Sequence, residues 1–335
     1  MKRWLLKQLG LKEGIAIKVY RGFGHAQQLH IYGHVLSIST DQKPHKNTIW
    51  RNIRMLLGLF FQKPVAGMQV RLQWGTASVS GVTETDGFFR LEWSADSSVP
   101  AGEHAVTVIC YNGTEELARC QGRLTVPHIT QLGIISDIDD TFLVSYSATR
   151  LKRLVTLLGN NAETRKAFDD VARHYQLLQF AQNTGANPNP FFYISSSEWN
   201  LYSYLRQFLQ VQKMPQGILL LNQLKRWNEL WKTGRTRHQG KFARIVRVME
   251  AFPEQSFLLL GDNSQQDPVI YASVAGHFPG RIKAIYIRSV VEKNNTATEA
   301  LLQPLQQAGI PCCLFRESKT AIAHSREIGL IPNTQ

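Results

Sequence analysis

The sequence predicts an α/β architecture: a doubly wound, mostly parallel sheet with a helical insertion over residues 129–335, preceded by a small β-sandwich-like domain over 14–128. Three observations carry this prediction. After Pro127, six short apolar runs alternate with helical patterns, the signature of β-α-β units. Before it, the hydrophobic period shortens towards alternation with Gly and Asn punctuation, as in strands with one buried face. The first apolar run of the second half, Leu132-Gly-Ile-Ile-Ser-Asp137-Ile-Asp139-Asp140-Thr141, ends in three carboxylates, at the strand end where open α/β sheets place their ligands.

At 335 residues the chain can bury two cores. Its 43% hydrophobic and 19% charged residues are ordinary globular values. The formal net charge of +13 is unevenly spread: residues 1–60 hold ten Lys or Arg against Glu13 and Asp41, and residues 225–247 hold eight against Glu229. Such basic surfaces suit phosphate-bearing partners, a phospholipid or anionic membrane surface or else nucleic acid, and they also serve plain solvation. Four cysteines, two of them adjacent, make neither a disulfide framework nor a zinc site. The amino terminus lacks the apolar core of a signal peptide, and the most apolar stretch, 55–61, is far too short to span a bilayer. A cytoplasmic protein with at most peripheral membrane contact is expected.

In chain order, residues 1–13 interleave Trp4, Leu5, Leu6, Leu9 and Leu11 with Lys2, Arg3, Lys7 and Lys12. This basic amphipathic pattern fits a membrane surface or a helix docked on the domain behind it. Strands are expected at 15–20, 31–38, 68–74, 88–93, 105–110 and 123–126, with Thr85-Asp86-Gly87 as a turn. Residues 48–62 break the pattern with Trp50, Ile53, Leu56, Leu57 and Phe60 at helical spacing, a helix that can seat on a bilayer or cover an open end of the sandwich. The second half predicts strands at 132–136, 190–194, 217–221, 257–260, 282–287 and 311–315. Helices at 150–158 and 162–180 fall in an insertion, about 145–185, long enough to form a cap over the site.

Crowded carboxylates repel, so a fold that keeps them supplies a cation or protonates one. Three further clusters fall near the first in such a sheet. The run Phe191-Phe-Tyr-Ile-Ser195-Ser196-Ser197 ends a strand in hydroxyls ahead of a helix expected near 198–200; this fits an oxyanion site or a simple helix cap. Lys241 opens the amphipathic run 242–252 and can be a phosphate ligand or a solvated surface charge. The run Phe257-Leu-Leu-Leu-Gly261-Asp262-Asn-Ser-Gln-Gln-Asp267-Pro268 brings a second apolar strand and two carboxylates on one loop. Two acid-ended strands can supply hard oxygen ligands for Mg2+. A calcium loop fails on spacing, with Phe142 at its sixth position and Ala148 at its twelfth.

In this order the four clusters resemble the haloacid dehalogenase-like phosphohydrolases. More narrowly, Ile135-Ser-Asp-Ile-Asp-Asp-Thr141, Tyr193-Ile-Ser-Ser-Ser-Glu-Trp-Asn-Leu-Tyr202, Gly261-Asp-Asn-Ser-Gln-Gln-Asp-Pro268 and Pro279-Gly-Arg-Ile-Lys-Ala-Ile-Tyr-Ile-Arg288 resemble the actin-patch-protein type of phosphatidate phosphatase. The resemblance covers about 130–318. It departs at the third cluster, where Gly240 rather than His precedes Lys241 and His238 lies three residues before it.

The resemblance implies a haloacid dehalogenase-like Rossmannoid sheet and a Mg2+-dependent phosphomonoesterase, with phosphatidate as first substrate. Asp137 would be the nucleophile, and Asp139 would protonate the leaving alcohol and then activate water. Asp137, the carbonyl of Asp139 and Asp262 would hold Mg2+, with Asp267 supporting. Ser195 and Lys241 would bind phosphoryl oxygens, with Ser196 an alternative to Ser195. Thr141 and Asn200 complete the expected substrate contacts, and Asp140 is left without a role. The alternatives are a phosphatase for nucleic-acid ends or a soluble phosphometabolite, and a non-catalytic lipid- or protein-binding adaptor.

Overall fold

The computed structural model describes residues 13–25, 27–39, 63–95, 98–138, 162–183, 187–222 and 236–333. Residues 1–12 of the basic amphipathic stretch 1–13, the predicted helices 48–62 and 150–158, and residues 225–235 of the basic run 225–247 lie outside these residues. The chain forms two compact units, divided between Val126 and Pro127.

The first unit is all β. Its strands are β1 (Glu13–Val19), β2 (Gly22–His25), β3 (Gln28–Ser39), β4 (Lys63–Pro64), β5 (Gln69–Trp74), β6 (Ala77–Val82), β7 (Phe88–Trp93), β8 (Gly102–Asn112) and β9 (Glu115–Val126). They are hydrogen-bonded into one connected sheet, ordered β1-β3-β2-β9-β8-β5-β6 with β4 and β7 also on β3, rather than two separate sheets. The connection comes from β3: its twelve residues pair with β1 and β2 along one edge and with β7 and β4 along the other. Alternation buries Leu29, Ile31 and Val35 of β3, Val70 and Leu72 of β5, and Val106 and Val108 of β8 in a common core. The turn before β7 follows its residues: Gly87 takes φ +74° and Asp86 Oδ1 accepts from the Phe88 N–H at 3.1 Å.

The second unit is α/β. Strands β10 (Gly133–Asp137), β11 (Phe191–Glu198), β12 (Ile218–Asn222), β13 (Phe257–Asp262), β14 (Ile282–Arg288) and β15 (Cys312–Phe315) form an all-parallel sheet, ordered β12-β11-β10-β13-β14-β15. β10 and β13 are buried at every position, as a parallel sheet covered on both faces requires. The helices among the described residues are α1 (Ala162–Leu178), α2 (Tyr202–Val211), α3 (Thr236–Ala251), α4 (Asp267–His277), α5 (Asn295–Gln307) and α6 (Ser318–Glu327). In sequence rank the strands run 3-2-1-4-5-6, so the order reverses between β10 and β13. That is the crevice where such sheets bind ligands.

The described part of the insertion, residues 162–183, holds α1, whose apolar face meets the sheet. On α1, Val171, Ala172, Tyr175 and Leu178 are buried. Tyr175 stacks on Phe191 of β11 and His174 meets Tyr286 of β14 edge-on. A helix with so apolar a face packs on the sheet as a layer. No described helix is long and apolar enough to cross a membrane.

Candidate active site

The site is assembled at the carboxyl ends of β10 and β13. Asp137 is the last residue of β10 and Asp262 the last of β13, two neighbouring strands at the reversal point. Asp267, expected on the loop, is the first residue of α4, with Pro268 fixing the helix start. Asp137, Asp262 and Asp267 are each at most 1% exposed. Each offers a carboxylate oxygen within 4.8 Å of those of the other two.

Lys241 joins this cluster from α3. It lies in the second turn of that helix rather than at its start, because the helix runs back to Thr236. The burial stripe of α3 continues through Ile245, Val248 and Met249, so the helical period delivers Lys241 to the sheet side. Its Nζ sits 3.0 Å from Asp137 Oδ1 and pairs with Asp267 Oδ1. Burial opposes its charge, but the Asp137 and Asp267 carboxylates together outweigh burial and hold the ammonium above the ordinary lysine value. For Asp267 burial prevails over the pull of Lys241 and raises its carboxyl.

Backbone and side-chain donors fix the acids. The Asp262 N–H donates to Asp267 Oδ2 at 3.2 Å, and the Ser264 N–H donates to Asp262 Oδ1 at 2.6 Å. Gly261 allows this approach, since a Cβ there would stand 2.5 Å from Asp267 Oδ2. Behind Asp137, Ser136 Oγ donates to the Asp137 carbonyl and accepts from Tyr175 OH, both at 2.9 Å.

Ser195 is completely buried on β11, whose Ile194 stands in register with Asp137. The strand does not stop at Ile194. It shifts register and continues to Glu198, a single 3-10 turn follows at Trp199–Leu201, and α2 begins only at Tyr202. The serine run is therefore an irregular strand end rather than a helix cap. Ser195 Oγ accepts from the Ser197 N–H at 2.9 Å, and Ser196 is half-buried beside it. Asn200 falls in the 3-10 turn, and no described contact ties it to the acids. Asp139, Asp140 and Thr141 lie outside the described residues.

Sequence reasoning did not single out Ser136, Tyr175, Asn222, Arg244 or Asn263. Asn263 is buried; its Oδ1 accepts from the Val290 and Val291 N–H groups at 2.8 and 2.9 Å, which pins the loop after Asp262. Only Asn263 and Ser136 carried a signal, as immediate neighbours of Asp262 and Asp137. The others are brought in by tertiary packing.

Three buried carboxylates against one lysine leave an excess of two formal negative charges among these four groups. An all-oxygen acidic set with that excess fits a hard divalent cation such as Mg2+.

Residues 132–289 match the family described as the catalytic domain of phosphatidate phosphatase APP1. Over 159 residues the chain is 28% identical to Phosphatidate phosphatase APP1 of Saccharomyces cerevisiae, covering 47% of this chain and 26% of that protein. Over 186 residues it is 27% identical to an uncharacterized protein of Schizosaccharomyces pombe, covering 52% of this chain and 29% of that one. The chain thus spans less than a third of the length of these curated relatives. Among solved structures, PilB minor pilin from Streptococcus sanguinis aligns over 80% of this chain and 89% of that one with a TM-score of 0.31 at 9% identity, too slight a likeness to bear on the fold. The matched segment, just under half of the chain, contains Asp137, Ser195, Lys241, Asp262 and Asp267, so the residues of the site lie in the part that is similar to the phosphatidate phosphatase APP1 catalytic domain.

Proposed function

We propose that this chain is a Mg2+-dependent phosphomonoesterase that hydrolyses phosphatidate to diacylglycerol and phosphate through an aspartyl-phosphate. The observation that carries the reading is the buried Asp137-Asp262-Asp267 cluster at the reversal point of the sheet, with Lys241 bridging Asp137 and Asp267. The family match supports the lipid phosphate as substrate.

A phosphomonoester dianion approaching three carboxylates is repelled unless cations offset them. Lys241 offsets part of that charge. Mg2+ held by Asp137, the Asp139 carbonyl and Asp262, with Asp267 supporting, would supply the remainder as a Lewis acid. The Asp137 carboxylate then attacks phosphorus, and the departing diacylglycerol oxygen takes its proton from Asp139. In the second half, Asp139 removes a proton from water, which attacks phosphorus, breaks the acyl-phosphate bond and returns Asp137 as a carboxylate. Ser195 and Lys241 hold the phosphoryl oxygens throughout, which requires rigid placement more than chemistry.

The test is phosphate release from phosphatidate vesicles with and without Mg2+, for the native chain and Asp137→Asn. Release that needs Mg2+ and vanishes in the variant is expected. Turnover of soluble phosphomonoesters or nucleic-acid ends without release from vesicles would refute the lipid substrate, and activity surviving Asp137→Asn would refute the mechanism. Vesicle binding without turnover of any substrate would point to an adaptor.

A further inference from the structure

We infer that Arg244 is a positioning residue that holds the 195–197 bend at a fixed spacing from Lys241, with Asn222 as its partner. The inference rests on the phosphatase reading above, in which Ser195 and Lys241 meet the same phosphoryl group.

The bend is where side chains from other elements meet the main chain of β11. Between Ile194 and Glu198 the ladder of β11 with β12 shifts register, so the carbonyls of Ser195 and Ser196 fall in the irregular part. A buried carbonyl without a donor is costly, and buried main-chain groups are almost always paired. Here side chains from two other elements supply donors. Arg244 Nη2 donates to the Ser195 carbonyl at 3.3 Å, and Asn222 Nδ2 donates to the Ser196 carbonyl at 2.8 Å. Arg244 Nη1 also donates to Asn222 Oδ1. One guanidinium therefore ties α3 to the ends of both β11 and β12.

The spacing on α3 links this brace to the acids. Arg244 follows Lys241 by three residues, a separation that makes two side chains neighbours on one helix face. Lys241 reaches Asp137 and Asp267 while Arg244 reaches Ser195 and Asn222. Gly240, one residue before Lys241, has no side chain in this space: a Cβ there would stand 3.6 Å from Arg244 Nη1 and 4.0 Å from Asn222 Oδ1. With both carbonyls held by α3 and β12, the bend cannot turn its negative oxygens towards an incoming phosphate, which they would repel. Lysine cannot replace the arginine, because the job uses two donors in a fixed fork.

The full chain is tested as Arg244→Ala, Arg244→Lys, Asn222→Ala, Ser195→Ala and the Arg244→Ala/Ser195→Ala double variant. With a soluble aryl phosphate, Arg244→Ala is expected to lower kcat at least about tenfold, with the Mg2+ activation constant unchanged and Arg244→Lys failing to restore the rate. In the Ser195→Ala background the same change should cost less than about twofold, because positions that act as a unit are not additive. Multiplication of the two single losses overturns the inference, as does full rescue by Arg244→Lys. A second readout does not depend on activity. Hydrogen exchange of the 195–198 amides should rise in Arg244→Ala and Asn222→Ala while that of 257–262 stays constant, and unchanged exchange at 195–198 overturns the brace. A native chain that releases no phosphate refutes the phosphatase reading instead, and exchange then decides the brace alone.

Discussion

Replacing Gly261 with alanine puts a methyl group where Asp267 already stands. The added Cβ would lie 2.5 Å from Asp267 Oδ2 and 2.9 Å from both its Cβ and Cγ, far inside van der Waals contact. Asp267 cannot swing aside without loss, since Oδ1 is paired with Lys241 and Oδ2 accepts from the Asp262 N–H. Relief must come from the strand end or the start of α4, and forced overpacking of this kind costs about 1–3 kcal/mol. For a unit of this size, each kcal/mol lowers the melting temperature by about 2–4 °C. Because the displaced carboxylate carries Lys241 with it, phosphate release should fall by about 100-fold, the usual consequence of an ångström's misplacement. Gly276→Ala is the control: it lies inside α4 with nothing within 4 Å of its Cβ, so alanine should stabilise by about 0.5–1 kcal/mol through helix propensity. The measurements are thermal unfolding and phosphate release on both variants. A Gly261→Ala chain that melts with the native protein and retains at least half its rate refutes the close-approach reasoning.

Lys241→Met leaves Asp137 and Asp267 buried without their ammonium, so metal-free stability should fall by about 3–5 kcal/mol in denaturant titration, and activity should be lost; a change below about 1 kcal/mol would mean that the ion pairs contribute little. Mg2+ at a hundredfold excess over its dissociation constant should stabilise the native chain by about 2.7 kcal/mol. In Asp137→Asn that gain should drop by more than half while the metal-free melting temperature does not fall, because one of three repelling carboxylates has gone; equal Mg2+ stabilisation in both chains would exclude Asp137 as a ligand. Burial, with His324 nearby, lowers the His174 pKa from 6.5 to about 3. The folded protein therefore binds fewer protons than the unfolded chain between these values, and stability falls with falling pH across that window by up to about 1.4 kcal/mol per pH unit. His174→Gln should flatten this acid-side slope, and an unchanged slope would show that His174 is protonated in the folded protein.

The six strands of the second unit were legible because each is a short apolar run between helical patterns, and the observed β10 to β15 overlap every predicted run. The acids were legible for a related reason: Asp137 and Asp262 end apolar runs, and a carboxylate at the end of a buried strand conflicts with burial unless something uses it. The β unit was read less completely. β6 sets only Val79 and Val82 among Ala, Ser and Gly, and β4 is two residues long, so the hydrophobic signal of each is weak. The serine strand was read as a strand followed at once by a helix, since a bulge leaves no trace in composition. Lys241 was assigned to a helix start because the polar turn before it lacks the apolar spacing that marks a helix.

By itself, the sequence determined the period of each element and the residue type at each strand end, because periodicity and burial are local properties of a chain. Tertiary structure decided which ends meet. The reversal of strand order sets β10 beside β13 and so brings Asp137 to Asp262 across more than a hundred residues, while the pitch of α3 turns Lys241 towards the acids and Arg244 towards Ser195. No pattern in the sequence marks Arg244 or Asn222, since a hydrogen bond between side chains twenty-two residues apart is written only in the packing of the helix on the strand.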